Sequence, residues 1–214
     1  IAAWYTTEGD IRRQPGSVIK PLAVYGPALE ENLIAPCTPI LDEKTNFGEY
    51  SPSNYKDAYK GYISVRQALA ESLNVPAVKI LNMLGCDTSE EYLFRMGLPI
   101  SPQDKNLSLA LGGITEGYTV REIAAAYAAI ANTGNFAPLA FIRKIEDANG
   151  NLLYERSLAP TRVFSEDTVS LLNDMLLYAA KNGTAKKLAS LPFEICAKTG
   201  TCGNENGNTD AWAV

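Results

Sequence analysis

The sequence predicts an α+β fold, a helical lobe packed against a sheet. Three observations carry this. A short apolar segment rich in β-favouring residues opens the chain at Ile1–Thr6. Five or more stretches with helical spacing follow it, and strand-like segments return after Phe141. Strands and helices that are segregated along the chain, with no regular alternation, give an α+β arrangement.

Each element has its own signal. Arg12-Arg13-Gln14-Pro15-Gly16 breaks the first strand. From Ser17 onward, Ile19, Leu22, Ala23, Tyr25, Gly26 and Leu29 can share one side of a helix. Ser17 sits at its start, where a capping serine is expected on ordinary grounds. Residues 35–60 hold Pro36, Pro39, Pro52, Gly48, Asn46 and Asn54 and read as a long irregular loop, a feature that is often functional in a compact domain. Ser64 caps a helix through Ala70, and Leu73-Asn74-Val75-Pro76 interrupts it. Pro76 opens a further helix through Leu84. Thr88 with Glu91 forms a capping box for a helix to Met96. Leu111-Gly112-Gly113 is a tight turn, and Thr119–Asn132 is a strong helix. Asp147-Ala148-Asn149-Gly150 joins two strands in a hairpin. Glu166–Lys181 is a helix, and Phe193–Thr201 and Asp210–Val214 are strands.

Composition excludes several classes of function. Hydrophobic residues make up 46% and charged residues 20%, as in an ordinary globular chain with a real core. The net charge of −5 argues against a nucleic-acid groove. No apolar run approaches the ~20 residues that span a bilayer, and Ile1 opens directly with no leader. There is no histidine. A Ser-His-Asp or Cys-His hydrolase and a His-containing zinc site are therefore impossible within the chain, and acid–base chemistry falls to Lys, Asp, Glu, Tyr or Cys. Cys37, Cys86, Cys196 and Cys202 form no C-x-x-C pair, so each is expected to be a small buried hydrophobe. No metal and no cofactor is expected.

Three small motifs carry possible chemistry. In Ser17-Val18-Ile19-Lys20, residues three apart on a helix share a face with Cβ atoms ~5–6 Å apart, so the amine can reach the hydroxyl. A serine is a weak nucleophile without a base. A lysine becomes one only when burial or a nearby cation lowers its pKa from ~10.4. Ser53-Asn54-Tyr55-Lys56 repeats the spacing inside the Pro-rich loop, where no helix fixes the pair, and is rejected as the nucleophile. Ser72-Leu73-Asn74 falls at a helix break, where its side chains can point into a cleft or simply cap and turn. Lys198-Thr199-Gly200-Thr201 ends an apolar segment. Its glycine permits close approach of a ligand backbone.

In this order the three motifs resemble those of the penicillin-binding protein and serine β-lactamase superfamily. The resemblance covers nearly the whole chain. Arg13 to Pro21 is similar to the transpeptidase nucleophile region. Tyr50-Ser51-Pro52-Ser53-Asn54-Tyr55 with Gly61, Ala68–Asn74, Leu111-Gly112-Gly113, Ala126-Tyr127-Ala128, Asn132-Thr133-Gly134, Gly183-Thr184-Ala185 and Thr209-Asp210-Ala211-Trp212 are similar to the bifunctional class A branch. The middle motif reads Ser-Leu-Asn rather than the Ser-Asp-Asn of β-lactamases, and the nearest match to a deacylating E-x-x-L-N, Glu90–Leu93, is followed by Phe94. Both departures lean away from the β-lactamases.

The resemblance implies a set of roles. Ser17 would attack the penultimate D-Ala carbonyl of a D-alanyl-D-alanine stem peptide and Lys20 would take its proton. Ser72 would bridge Lys20 and Lys198, and Asn74 would orient Lys20 and the substrate amide. Lys198, Thr199 and Thr201 would bind the terminal carboxylate beside Gly200, with the N–H groups of Ser17 and Thr201 as oxyanion hole. It also implies peptidoglycan stem peptides and β-lactams as partners, no nucleic acid, and a site at the extracytoplasmic face of a bacterial membrane, reached through a segment absent from this chain. The alternatives are a D,D-carboxypeptidase, a β-lactamase, or a β-lactam sensor that acylates without turnover. The family sheet is antiparallel, with about five strands and a C-terminal helix. Residues 1–214 are accordingly expected to be a truncated transpeptidase domain whose sheet is incomplete, with its last strand and helix missing and its apolar face partly uncovered.

Overall fold

The structure is a computed structural model describing residues 11–156, 159–204 and 207–214. The strand expected over Ile1–Thr6 lies outside the described residues. The described elements are helices and antiparallel strands, in keeping with the α+β expectation.

The chain from Gly16 to Glu30 is one helical rod that changes its winding twice. A 3₁₀ turn spans Gly16–Ile19, a π-helical stretch spans Pro21–Tyr25, and α1 spans Gly26–Glu30. Pro21 explains the first change. It has no N–H to offer the Ser17 carbonyl four residues back, so the Lys20 N–H takes that carbonyl instead. The one-sided apolar face expected for this helix is wrong: every residue from Val18 to Leu29 is buried, because the rod runs through the middle of the core and meets packing on all sides.

Residues 35–60 are less irregular than expected. β1 (Pro39–Asp42) pairs antiparallel with β2 (Gly61–Ser64), Pro39 opposite Ser64 and Asp42 opposite Gly61. Ser64 then caps α2 (Val65–Ala70) by accepting from the Gln67 N–H at 3.2 Å. After the break, α3 covers Asn74–Leu84. α4 (Cys86–Arg95) starts two residues before the Thr88 cap that its sequence suggests. Gly85, at φ 89°, turns the chain directly into it, so Thr88 is already inside the helix and caps nothing. α5 (Val120–Ala131) starts where expected, and a reciprocal capping box between Thr119 and Glu122, not read from the sequence, fixes that start.

β3 (Asn135–Phe136) pairs with β6 (Thr161–Arg162), and β4 (Lys144–Glu146) pairs with β5 (Leu152–Glu155) in the expected hairpin. α6 (Glu166–Asn182) packs against α2 and α1. β7 (Thr199–Asn204) and β8 (Gly207–Ala213) form the last antiparallel pair. β7 begins later than the expected Phe193. Ala197 donates its N–H to the Leu176 carbonyl of α6, and only from Lys198 onward does the backbone find β8 and Val214 as partners. Among the described residues the strands form four two-stranded pairs, not one sheet.

The cysteines depart from expectation. Cys37 and Cys196 are exposed, Cys86 and Cys202 are half-buried, and all four are free. The thiols of Cys196 and Cys202 instead meet surface carbonyls, those of Asn173 and Gln14. No helix of the described residues is long and apolar enough to cross a membrane.

Candidate active site

The three motifs converge on one groove. Ser17, Ser72, Asn74, Thr199, Gly200 and Thr201 line a space of about 430 Å³ together with Tyr55, Ala58, Lys60, Glu71, Leu73 and Thr184. The two lysines, Lys20 and Lys198, lie beneath its floor, 0% and 1% exposed.

Ser17 sits half-buried on the 3₁₀ turn, and close backbone contacts hold that turn in place. Gly200 of β7 lies so near it that a Cβ there would stand 2.9 Å from the Pro15 carbonyl and the Val18 nitrogen. Gly112, at φ +82°, approaches from the other side; a Cβ on it would come within 2.5 Å of the Gly16 nitrogen. Gly16 itself needs φ +53°. Glycine at 16, 112 and 200 is what lets three backbones meet at the serine. The Tyr127 hydroxyl adds a bond to the Val18 carbonyl at 2.7 Å.

Ser72 connects the two lysines. Its φ of +58° is the left-handed region, unusual for a residue with a side chain and worth about 1 kcal/mol or more of strain. The Lys20 Nζ donates to the Ser72 carbonyl at 2.7 Å, the Leu73 carbonyl at 3.0 Å and Asn74 Oδ1 at 2.8 Å. The Lys198 Nζ donates to the Ser72 hydroxyl at 2.8 Å and the Thr199 carbonyl at 2.7 Å. Ser72 therefore meets both lysines, Lys20 through its carbonyl and Lys198 through its hydroxyl. Thr199 Oγ1 lies 2.6 Å from Thr184 Oγ1, and the Thr184 N–H bonds the Ala70 carbonyl. Thr201 is exposed at the groove edge.

Burial drives both amines toward the neutral form. It pulls Lys20 well below the ordinary lysine value, and the nearby Lys198 charge pulls in the same direction. Burial brings Lys198 down to about 7. Lys198 therefore costs the fold stability. In the unfolded chain it binds a proton below pH ~10.4, in the folded chain only below about 7, so stability falls as pH drops from 10 to 7 and the full cost, a few kcal/mol, is present below 7. Lys198→Met is expected to raise the urea midpoint at pH 7 and to flatten the rise in stability that the parent shows between pH 7 and 10. An equal or lower midpoint with unchanged pH dependence would contradict this.

The second Ser-x-x-Lys pair does not assemble. Residues Tyr55–Asp57 form only a 3₁₀ turn, with Lys56 at φ 58° and its amine over the exposed Tyr55 ring. Sequence reasoning missed Asn54 and Asp42, which stand directly behind Asn74. The signal for Asn54 lay next to the rejected Ser53, in a loop already marked as unusually long.

Known proteins match this chain along most of its length. The model of the family described as penicillin binding protein transpeptidase domain matches residues 5–214. Penicillin-binding protein 1F of Bacillus subtilis is 36% identical over 97% of this chain and 30% of its own length. Penicillin-binding protein 4 of the same species is 34% identical over 94% of this chain and 32% of its own. The chain thus spans about a third of the length of these curated relatives. Among solved structures, the D,D-transpeptidase domain of a peptidoglycan glycosyltransferase from Eggerthella lenta superposes with a TM-score of 0.81, at 24% identity, over 97% of this chain and 60% of that one.

Proposed function

The chain belongs to the penicillin-binding protein transpeptidase domain family, and from that premise we propose that it carries the site of a serine D,D-transpeptidase that cross-links peptidoglycan stem peptides. The observation that carries the proposal is the meeting of both buried lysines at Ser72, Lys20 on its carbonyl and Lys198 on its hydroxyl, beneath a groove lined by Ser17.

In this reading Ser17 Oγ attacks the carbonyl carbon of the penultimate D-Ala, and its proton passes to a neutral Lys20. The carbonyl oxygen becomes an oxyanion held by the N–H groups of Ser17 and Thr201, each such donor being worth ~10²–10³ in rate. The C–N bond to the terminal D-Ala then breaks as the leaving amine takes the proton of the Ser72 hydroxyl, which the proton held by Lys20 replaces. Protonated Lys198, with Thr199 and Thr201, receives the terminal carboxylate. An amine of a neighbouring stem peptide attacks the Ser17 ester and gives a proton to neutral Lys20, which passes it to the Ser17 oxygen as the ester C–O bond breaks. β-Lactams enter as mimics of the D-Ala-D-Ala end and remain attached to Ser17. The parent protein works at the extracytoplasmic face of the cell membrane, and a glycosyltransferase domain accompanies this one there, as in the class A branch.

The test is mass spectrometry of the full-length protein after incubation with a labelled penicillin. One adduct on Ser17 is expected, stable over hours, abolished by Ser17→Ala and retained in Ser53→Ala. An adduct on Ser53, or none on the folded protein, sinks the reading.

A further inference from the structure

Behind Asn74 a buried polar chain continues away from the groove. Asn54 is 4% exposed and Asp42 is 0% exposed. The Asn54 amide makes four hydrogen bonds. Its Nδ2 donates to Asp42 Oδ1 at 2.7 Å and to the Ala58 carbonyl at 3.0 Å. Its Oδ1 accepts from the N–H groups of Asn74 at 2.9 Å and Val75 at 3.1 Å. The second oxygen of Asp42 accepts from the Lys60 N–H at 3.0 Å.

This arrangement does two things. First, α3 begins at Asn74, and its own N-cap, Leu73, supplies no side-chain acceptor. Asn54, twenty residues upstream, caps the helix in its place by taking two of the N–H groups that every helix leaves free at its start. Second, the residue whose backbone Asn54 holds is the one whose side chain meets Lys20. Asn74 Oδ1 accepts from Lys20, while Asn74 Nδ2 donates to the carbonyl of Ser53, the neighbour of Asn54. Asn74 is gripped at backbone and side chain by the same loop. Asp42 orients Asn54 in turn: with its carboxylate accepting from Nδ2, the amide can face α3 only with its oxygen.

We propose that Asn54, oriented by Asp42, is a positioning residue of this site, holding Asn74 and through it the Lys20 amine in place for Ser17. The proposal rests on the transpeptidase reading above and assigns neither residue a contact with substrate. The titratable groups around the relay are Lys198, which acts on Lys20 through space, Tyr25 and Tyr59, which feel the charge of Asp42, and Lys60 and Glu71, which pair with each other at the groove rim.

The experiment measures the second-order rate of Ser17 acylation by a labelled penicillin against pH, on the full-length protein, with thermal melting of each variant. In Asn54→Ala, Asn74 is released and water reaches Lys20. The burial that lowers its pKa is relieved, so the acid limb moves to higher pH and the rate on that limb falls several-fold. The reciprocal exchange, Asp42→Asn with Asn54→Asp, keeps an acceptor toward the N–H groups of Asn74 and Val75, a donor–acceptor pair between the two side chains, and an acceptor for the Lys60 N–H, and gives up only the bond to the Ala58 carbonyl. It is expected to fold and to bring the rate back to within about threefold of the parent. A folded Asn54→Ala with the parent's acid limb overturns the inference. If Asn54→Ala does not fold, the exchange decides: folded but at least tenfold slow, it overturns the inference as well. The parent protein is the control for the reading itself, because failure of its own Ser17 to label overturns both.

Discussion

Replacing Lys20 by methionine is expected to slow acylation of Ser17 by about 10²–10⁴-fold, the usual worth of a positioned general base. Methionine keeps the length and apolar stem of lysine, so the buried rod keeps its packing. The chain has no histidine, the Lys198 amine is tied to Ser72 and Thr199, and the other ionisable pair of the groove, Glu71 and Lys60, is engaged with itself. Stability should change little. The carbonyls of Ser72 and Leu73 and the Asn74 amide oxygen lose a donor, at about 1–3 kcal/mol each where they stay dry, but a buried amine no longer has to be desolvated. Lys20→Arg is the sharper variant. It keeps the positive charge and the donors, yet a guanidinium does not give up its proton. If Lys20 served only as a fixed cation, arginine would retain much of the rate; as a base it should be as slow as methionine. A rate for either variant within tenfold of the parent would remove Lys20 from the mechanism.

The pH dependence follows from the same two amines. In the proposed mechanism the free protein acylates with Lys20 neutral and Lys198 protonated. The rate is therefore expected to rise with pH through the lowered Lys20 value and to fall again as Lys198 loses its proton near 7. In Lys198→Met the falling limb should vanish, and the rising limb should move to higher pH, because the charge that helps depress Lys20 is gone.

How much of this was legible in the sequence depended on whether a signal was local. The helix start at Thr119, Ser64 before α2, and Asp147–Gly150 between β4 and β5 each need only neighbours within a few residues, and each lies where the sequence puts it. The helix break at Ser72-Leu73-Asn74 was also readable, and the left-handed Ser72 at its centre turns two carbonyls toward Lys20. What could not be read was set by packing across the chain. The rod from Gly16 looks one-sided because helical spacing does not say how many sides will be covered, and here all are. The segment from Phe193 looks like a strand by composition, but a strand needs a partner, and none among the described residues meets it before Lys198. Asn54 looked like a loop residue because its bonds run to Asp42, twelve residues back, and to Asn74, twenty ahead.

The glycines offer a contrast that separates stability from the site. Gly112 and Gly134 both sit at positive φ, +82° and +88°, and a Cβ on either would meet backbone, at 2.5 Å from the Gly16 nitrogen and 2.1 Å from the Phe164 carbonyl oxygen. Alanine at either position suffers both left-handed strain, about 1–2 kcal/mol, and overpacking against atoms that cannot swing aside, about 1–3 kcal/mol. Both variants are expected to lose roughly 2–5 kcal/mol of stability, read as lowered urea midpoints. Their effects on chemistry should differ. Gly112→Ala pushes on the backbone next to Ser17, so the folded fraction should acylate at least tenfold more slowly, since small misplacements of a reacting group cost on the order of 10² in rate. Gly134→Ala pushes on the chain entering α6, so its folded fraction should keep the parent rate within about twofold. Equal rates in the two folded variants would mean that the close approach of Gly112 to Gly16 supports the fold and does nothing for the position of the serine.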